Sequence, residues 1–343
     1  MDKRRRLVAG PVSVAINPRT LAVTTLLALA CLALTILSLS IGTVLISPVT
    51  VIEALLGDSA GPYGFIIDTL RLPRVVMAFL VGAALGVSGL ILQALVRNPL
   101  ASPDIIGISG GASVAAVAFL SFLTPYLGIH WLPVVAIAGA MVAALAIYLL
   151  AWRQGVTPVR LVLIGIGLSA AMGAATTLMI TLSPITTTMT AYVWLTGSVY
   201  GSDWDDVRAL APWVLVLLPL ALTRAGAIDL QEFGDTVASG LGLAVQRSRM
   251  LLLLLAVALA GSAVAYAGAI GFVGLIAPHI ARKLVDRHFS GLAPVAAIIG
   301  GLLVMIADLI GRTVFVPLDL PAGIFVSAIG APFFIYLLFR QRY

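Results

Sequence analysis

Two glycine-rich motifs and a few ionisable residues are the parts of this sequence that could do bond chemistry. Gly107-Ile108-Ser109-Gly110-Gly111 fits G-x-S-x-G, the turn that exposes a nucleophilic serine between a strand and a helix in hydrolases. That serine would need a histidine base and an acid. His130, His279 and His288 fall near different apolar-run boundaries, and no strand pattern precedes the motif. The motif therefore reads as a glycine-rich helix start. Gly165-x-Gly167-x-x-Ala170 resembles the dinucleotide fingerprint, which requires a strand–turn–helix context. It lies in the middle of an apolar run and reads as helix text. No G-x-x-x-x-G-K-[ST] occurs, so ATP-driven work would need another subunit to bind the nucleotide. Cys31 is the one cysteine, which excludes an internal disulfide and a cysteine-based zinc site. No metal or cofactor is expected in the chain itself.

Ionisable residues inside apolar runs are the remaining candidates. Ion-coupled carriers bury acids or histidines near the bilayer midplane. Here such runs hold His279, which follows Pro278, and Asp308, which stands four residues before Arg312 as a helix-end ion pair. Both lie near run ends, and no proton relay is visible.

The elements that must position these residues are membrane helices. Of 343 residues, 61% are hydrophobic and only 10% charged, against about 25% charged in a soluble domain. Mean hydropathy is +1.13. A membrane span needs roughly 20 apolar residues. Such runs cover about 21–46, 75–96, 105–123, 131–151, 161–182, 209–223, 250–268, 270–284, 292–311 and 321–339. The fold class is an all-α integral membrane protein: a polytopic bundle of about ten transmembrane helices over 21–343, after a tail at 1–20. The run at 270–284 is short and contains Pro278, as a partial or tilted helix would. Gly82-x-x-x-Gly86 is a small-xxx-small pattern, which predicts close helix packing. A short internal similarity links Gly86-x-x-Gly89-Leu90-Ile91 to Gly271-x-x-Gly274-Leu275-Ile276, each running on to an arginine.

Orientation follows from the basic residues. With the N-terminus inside and spans alternating, Lys3 to Arg6, Arg19, Arg97, Arg153, Arg160, Arg224, Arg247, Arg249, Arg282, Lys283, Arg287, Arg340 and Arg342 lie inside. Arg71, Arg74, Arg208 and Arg312 are left outside, with Glu53, Asp58, Asp68, Asp203, Asp205, Asp206 and Asp319. This asymmetry obeys the positive-inside rule and accounts for the net charge of +6 without nucleic acid. Both termini are expected to be cytoplasmic.

Two loops carry signals. The inside loop 224–249 is too long for a plain connector. Asp229 and Glu232 are spaced as a capping box. Leu230, Phe233, Val237 and Leu241 then form one apolar stripe, closed by Gly240 and Gly242. Such a stripe needs a cover, from its own bundle or from a docked partner. Outside, Arg71 and Arg74 flank Pro73, and Arg312 is a third outer arginine. These could bind lipid headgroups, pair with Asp68, or receive carboxylates from a soluble partner.

Several motifs in order carry a resemblance. They are Arg71-Leu-Pro-Arg74, Gly82 to Gly89, Gln93, Asn98-Pro-Leu-Ala101, Pro103 and Gly107 to Ala112. Gly271-Phe-Val-Gly-Leu-Ile-Ala-Pro-His279, Ala307-Asp308, Leu320-Pro-Ala-Gly323 and Gly330-Ala-Pro-Phe333 follow. From about residue 40 onward the chain resembles the permease subunits of bacterial ABC importers for iron–siderophores, haem and cobalamin. Asn98–Gly107 and Trp194-Leu-Thr-Gly-Ser198 look most like the ferric-siderophore branch, near ferric-enterobactin permeases.

The resemblance implies a multi-pass subunit of the bacterial cytoplasmic membrane. It implies a second permease subunit, related but not identical, two cytosolic ATPases that bind ATP and magnesium, and an outer binding protein. It implies that Arg71, Arg74 and Arg312 receive the binding protein. Leu230, Phe233, Val237, Leu241 and Gly242 would couple to the ATPase, although Thr236 stands where the family often has a second acid. Thr157 and Pro158 would form the cytoplasmic gate. The implied activity is alternating access without bond chemistry in this chain. The alternatives are a cobalamin or haem permease of the same family, an ion-coupled carrier, and an intramembrane enzyme acting on lipid.

Overall fold

A computed structural model describes residues 5–9, 12–57 and 61–340. Parts of the predicted tail, together with Lys3, Arg4, Asp58 and Arg342, lie outside the described residues. Two short strands, β1 (Arg5–Ala9) and β2 (Val12–Ile16), pair antiparallel with Arg5 opposite Ile16.

The rest is helical, as the composition requires. α1 (Pro18–Ser40) starts at Asn17, whose side chain accepts from the Arg19 N–H. α2 (Pro48–Leu55) follows an extended segment. A π-turn over Ile66–Arg71 leads into α3 (Leu72–Val96). α4 (Ile108–Ala118) continues through a second π-turn into α5 (Thr124–Leu127). Then come α6 (Leu132–Ala151), α7 (Pro158–Leu182), α8 (Ile185–Thr196) and α9 (Trp204–Thr223). Two short helices, α10 (Ala225–Glu232) and α11 (Asp235–Gly240), precede α12 (Val245–Ala267). The chain finishes with α13 (Val273–Leu284), α14 (Phe289–Thr313) and α15 (Ala322–Arg340).

Every predicted span coincides with a helix. Eight helical stretches among the described residues are long and apolar enough to cross a membrane. α15 follows with a shorter apolar core, Ala322–Leu337. The run expected to be a partial or tilted helix is α13. Its 12 residues extend about 18 Å, well short of the roughly 30 Å hydrocarbon layer. The irregular segment between Ala267 and Val273 must therefore reach bilayer depth, where backbone groups need protein partners. Partners exist for part of it: Ser198 N–H donates to Ala267 O at 2.7 Å, Gly268 N–H to Val264 O at 2.8 Å and Ile270 N–H to Gly268 O at 2.9 Å. A Cβ on Gly268 would lie 2.0 Å from Trp194 O, and one on Gly323 1.9 Å from Thr196 O. Phe272 adopts a left-handed backbone (φ 64°), and its ring fills the space left by Gly330.

α3 is the central post, buried almost throughout against α14, α12, α13 and α9. Lipid offers helices no hydrophobic reason to associate, so small residues must let backbones approach. A Cβ on Gly82 would lie 2.1 Å from Gly300 O, one on Gly86 2.6 Å from Ala296 O, and one on Gly89 1.9 Å from Gly274 O. The small-xxx-small expectation is met here. Gly89 and Gly274, equivalent positions in the internal similarity, pack directly on each other. α7 is the opposite case: only five of its 25 residues are buried, and a Cβ on Gly167 or Gly173 would meet nothing.

The two glycine motifs of the sequence take their structural readings. Gly107 (φ 91°) caps α4, and Ser109 donates to Asp104 at 2.6 Å rather than meeting a histidine. Gly165 and Gly167 lie inside α7.

Candidate functional site

Two clusters stand at opposite ends of the bundle. The first gathers the arginines that break the charge asymmetry. Arg71, at the end of the π-turn before α3, is buried. It donates to Leu39 O at 2.5 Å and to Val44 O at 2.6 Å, capping the chain where α1 ends. Gly42 is needed there, because a Cβ would lie 2.5 Å from the Arg71 guanidinium.

Arg74 is clamped between two carboxylates. Its Nε donates to Asp308 at 2.9 and 3.1 Å, and its two Nη atoms each donate to Asp319 at 2.8 Å. The same guanidinium stands 5.4 Å from the centre of the Tyr200 ring. Arg312 donates to the Ser38 carbonyl and hydroxyl, and lies 3.7 Å from Asp308. Asp68 takes no part through its side chain; its carbonyl accepts from Trp204 Nε1 at 2.7 Å.

The three arginines expected to dock a partner thus lie in one cluster. Their guanidinium groups, however, are turned inward onto α1, α14 and the 314–321 connection. Arg74 and Arg312 share the two carboxylates while Arg71 binds carbonyls alone, so the cluster retains positive character.

This arrangement carries a prediction. Asp308 is buried, and its short hydrogen bonds come from Arg74, with Arg312 farther off at 3.7 Å. Arg74→Met should cost about 3–5 kcal/mol, because it removes the hydrogen-bonded partner of a buried carboxylate and leaves only the longer contact to Arg312. Thermal melting of the purified chain in detergent measures it. Arg74→Lys should also lose stability, since an ammonium cannot fork onto two carboxylates.

The second cluster lies at the basic end, around the loop that follows α9. One amphipathic helix starting at Asp229 is the sequence expectation; the structure corrects it. Gly234 (φ 102°) breaks the run into α10 and α11. Asp229 does not cap its own helix. Its carboxylate accepts from the Phe289 N–H at 2.8 Å and stands 3.3 Å from His288 Nδ1. The first turn of α14 has free N–H groups, and an interior acid of α10 satisfies one of them. A capping box does occur elsewhere, at Asp203 and Asp206 on α9. Glu232, outside the spans, has its carboxyl pushed above the ordinary range by desolvation. Arg282 and Arg287 oppose that shift and Asp229 adds to it.

Three apolar residues of the expected stripe are exposed, although Gly234 separates Phe233 from the helix that carries Val237. Phe233 is 72% exposed, Val237 49% and Leu241 63%. Gly242 (φ 88°) turns the chain away after them. Leu230 is half-buried and does not share the open face. The underside is fixed by Ile228, Gln231 and Ala238, all buried, with Gln231 Nε2 donating to Ser248 Oγ at 2.8 Å. Three large apolar side chains in a polar loop form a surface of the kind that marks an interaction site.

Beside this loop runs the turn 152–157. Thr157 precedes α7 and is half-buried; Pro158 is buried at its first position, where a missing N–H is harmless. Arg160 donates to Arg153 O at 3.1 Å, tying the turn back to its own helix.

Sequence reasoning missed the residue that touches both segments. Arg249 is only 1% exposed, donates to Val156 O and to Asp235 Oδ1 at 2.7 Å, and leaves its Nε–H without a partner. The periodic signal of α12 hid it, because an arginine at the edge of an apolar run reads as an ordinary inside charge.

The model of the FecCD transport family matches residues 29–340. The achromobactin transport system permease protein CbrC of Dickeya dadantii (strain 3937) is 55% identical over 97% of this chain and 96% of its own length. The ferric enterobactin transport system permease protein FepG of Escherichia coli (strain K12) is 39% identical, over 96% of this chain and 98% of its own. A metal-chelate-type ABC transporter solved in an inward-facing conformation superposes with a TM-score of 0.81 at 26% identity. It covers 93% of this chain and 99% of that one.

Proposed function

We infer that this chain, which belongs to the FecCD transport family, is the membrane permease subunit of an ATP-driven importer for a ferric siderophore. The observation that carries the reading is the exposed row Phe233–Val237–Leu241. It gives a membrane-embedded chain without a nucleotide-binding motif a place to receive force from an ATPase. The name of the achromobactin permease, at 55% identity, supports a siderophore over cobalamin or haem as cargo.

In this reading the basic end faces the cytosol, in the bacterial inner membrane, as the positive-inside rule requires. Two ATPases hold ATP and magnesium and dock at α10 and α11. This chain binds no cofactor and makes or breaks no bonds. A second permease, a related chain, meets the open face of α7, where small residues permit close backbone approach. Cargo passes between the two. A binding protein docks at the other end, on the rim shaped by Arg71, Arg74 and Arg312. Their inward pairing supports a role in holding that rim, with the surplus positive charge attracting acidic side chains. The turn at Thr157 and Pro158 closes the cytoplasmic end. Transport is then a two-state rearrangement biased from both ends.

The test is uptake into proteoliposomes that carry the permease pair and ATPases, supplied with binding protein and radiolabelled ferric siderophores. Uptake should depend on ATP and be indifferent to ionophores. Uptake that ignores ATP and collapses with an ionophore would overturn the reading in favour of an ion-coupled carrier.

A further inference from the structure

Arg249 stands in the second turn of α12 and is almost wholly buried, yet its guanidinium partners lie on two other segments. Nη2 donates to Asp235 Oδ1 at 2.7 Å, at the first residue of α11. Nη1 donates to the carbonyl of Val156, the residue before Thr157. Gln246, three residues earlier on α12, adds a second hold on the same peptide. Its Oε1 accepts from Val156 N–H at 3.0 Å, and its Nε2 donates to Val156 O at 3.4 Å. Arg97 reaches the same carboxylate of Asp235 at 3.4 Å from the end of α3.

One planar guanidinium thus holds both a carboxylate of the loop helix and a carbonyl of the turn. A buried cation deprived of its partners is costly, and its fork is rigid. Neither segment can therefore move far without drawing the other or stranding the charge. Glycines leave room for this on both sides. A Cβ on Gly155 would lie 2.8 Å from Gln246 Nε2, and one on Gly234 3.1 Å from Arg97 Nη1.

We propose that Arg249 is the positioning residue that transmits displacement of α11 to the 152–157 turn, so that force applied at the exposed row opens or closes the end of the pathway. The proposal rests on the functional reading above for the source of that force.

The test uses the complete transporter in proteoliposomes, in a Cys31→Ser background, with spin labels on exposed positions. The pair 154 and 283 reports the turn; the pair 239 and 283 reports α11. In the unsubstituted chain, trapping the ATPases in the ATP-bound state should change both distances. With Arg249→Gln the 239–283 distance should still change while the 154–283 distance stays fixed. Uptake should fall at least tenfold while ATP hydrolysis continues. Arg249→Lys should recover only part of the turn's movement. Asp235→Ala, at a half-exposed position, should decouple the same pair and keeps the test available if Arg249→Gln does not fold. A turn that moves normally in both variants, or an α11 that no longer moves in either, would overturn the proposal. If ATP moves neither pair in the unsubstituted chain, the functional reading itself fails, and the proposal with it.

Discussion

Phe233→Asp, combined with Val237→Asp, should abolish ATP-dependent uptake, with a loss of at least a hundredfold. The ATPase should no longer co-purify, while the permease stays folded. The reason lies in the geometry of the loop. Both side chains are largely exposed and make no contribution to the buried underside at Ile228, Gln231 and Ala238. Carboxylates placed there cost the isolated chain little. In a docked complex they would be desolvated without partners, at several kcal/mol each. Detergent-purified complex, assayed for ATPase stoichiometry and melting temperature, separates the two effects. Retained ATPase with normal uptake would remove these residues from the coupling surface. Leu230→Asp should behave differently, lowering the melting temperature, because Leu230 is half-buried against the bundle.

Gly89→Val should prevent the bundle from assembling at all. A Cβ there would lie 1.9 Å from Gly274 O, and the obstructing atom belongs to backbone. Ordinary over-packing costs roughly 1–3 kcal/mol because side chains can yield; two helix backbones in direct contact cannot. Gly82→Val, facing Gly300 O at 2.1 Å, should fail in the same way. Gly167→Val is the control, since that face of α7 is open. Size-exclusion profiles of the expressed variants should show aggregate for the first two and a normal folded peak for the third. A folded Gly89→Val would mean that α3 and α13 are not packed at this crossing.

Much of this architecture was legible from the sequence. Apolar runs of span length placed the helices, because a membrane core rejects charge and demands internally bonded backbone. The helical period picked out Phe233, Val237 and Leu241, all exposed in the structure, although Gly234 breaks the single helix it assumed. The same signals were silent where partners come from distant segments. Spacing made Asp229 a cap for its own helix, whereas the fold gave it to the Phe289 N–H, sixty residues away. Arg71 and Arg74 looked like outward charges beside Asp68, and proved to be buried on Leu39, Asp308 and Asp319.

By itself, then, the sequence determined that this chain is a many-helix membrane protein, where its helices run, and which loop presents an apolar row. These are local properties: hydrophobic length, period and charge count along the chain. Only the tertiary structure decided that Phe289 takes Asp229 as its cap, that Gly89 meets Gly274, and that Arg249 joins Asp235 to Val156. Each of those depends on how backbones approach across the bundle and on which buried charge finds which partner, and neither is encoded in the spacing of neighbouring residues.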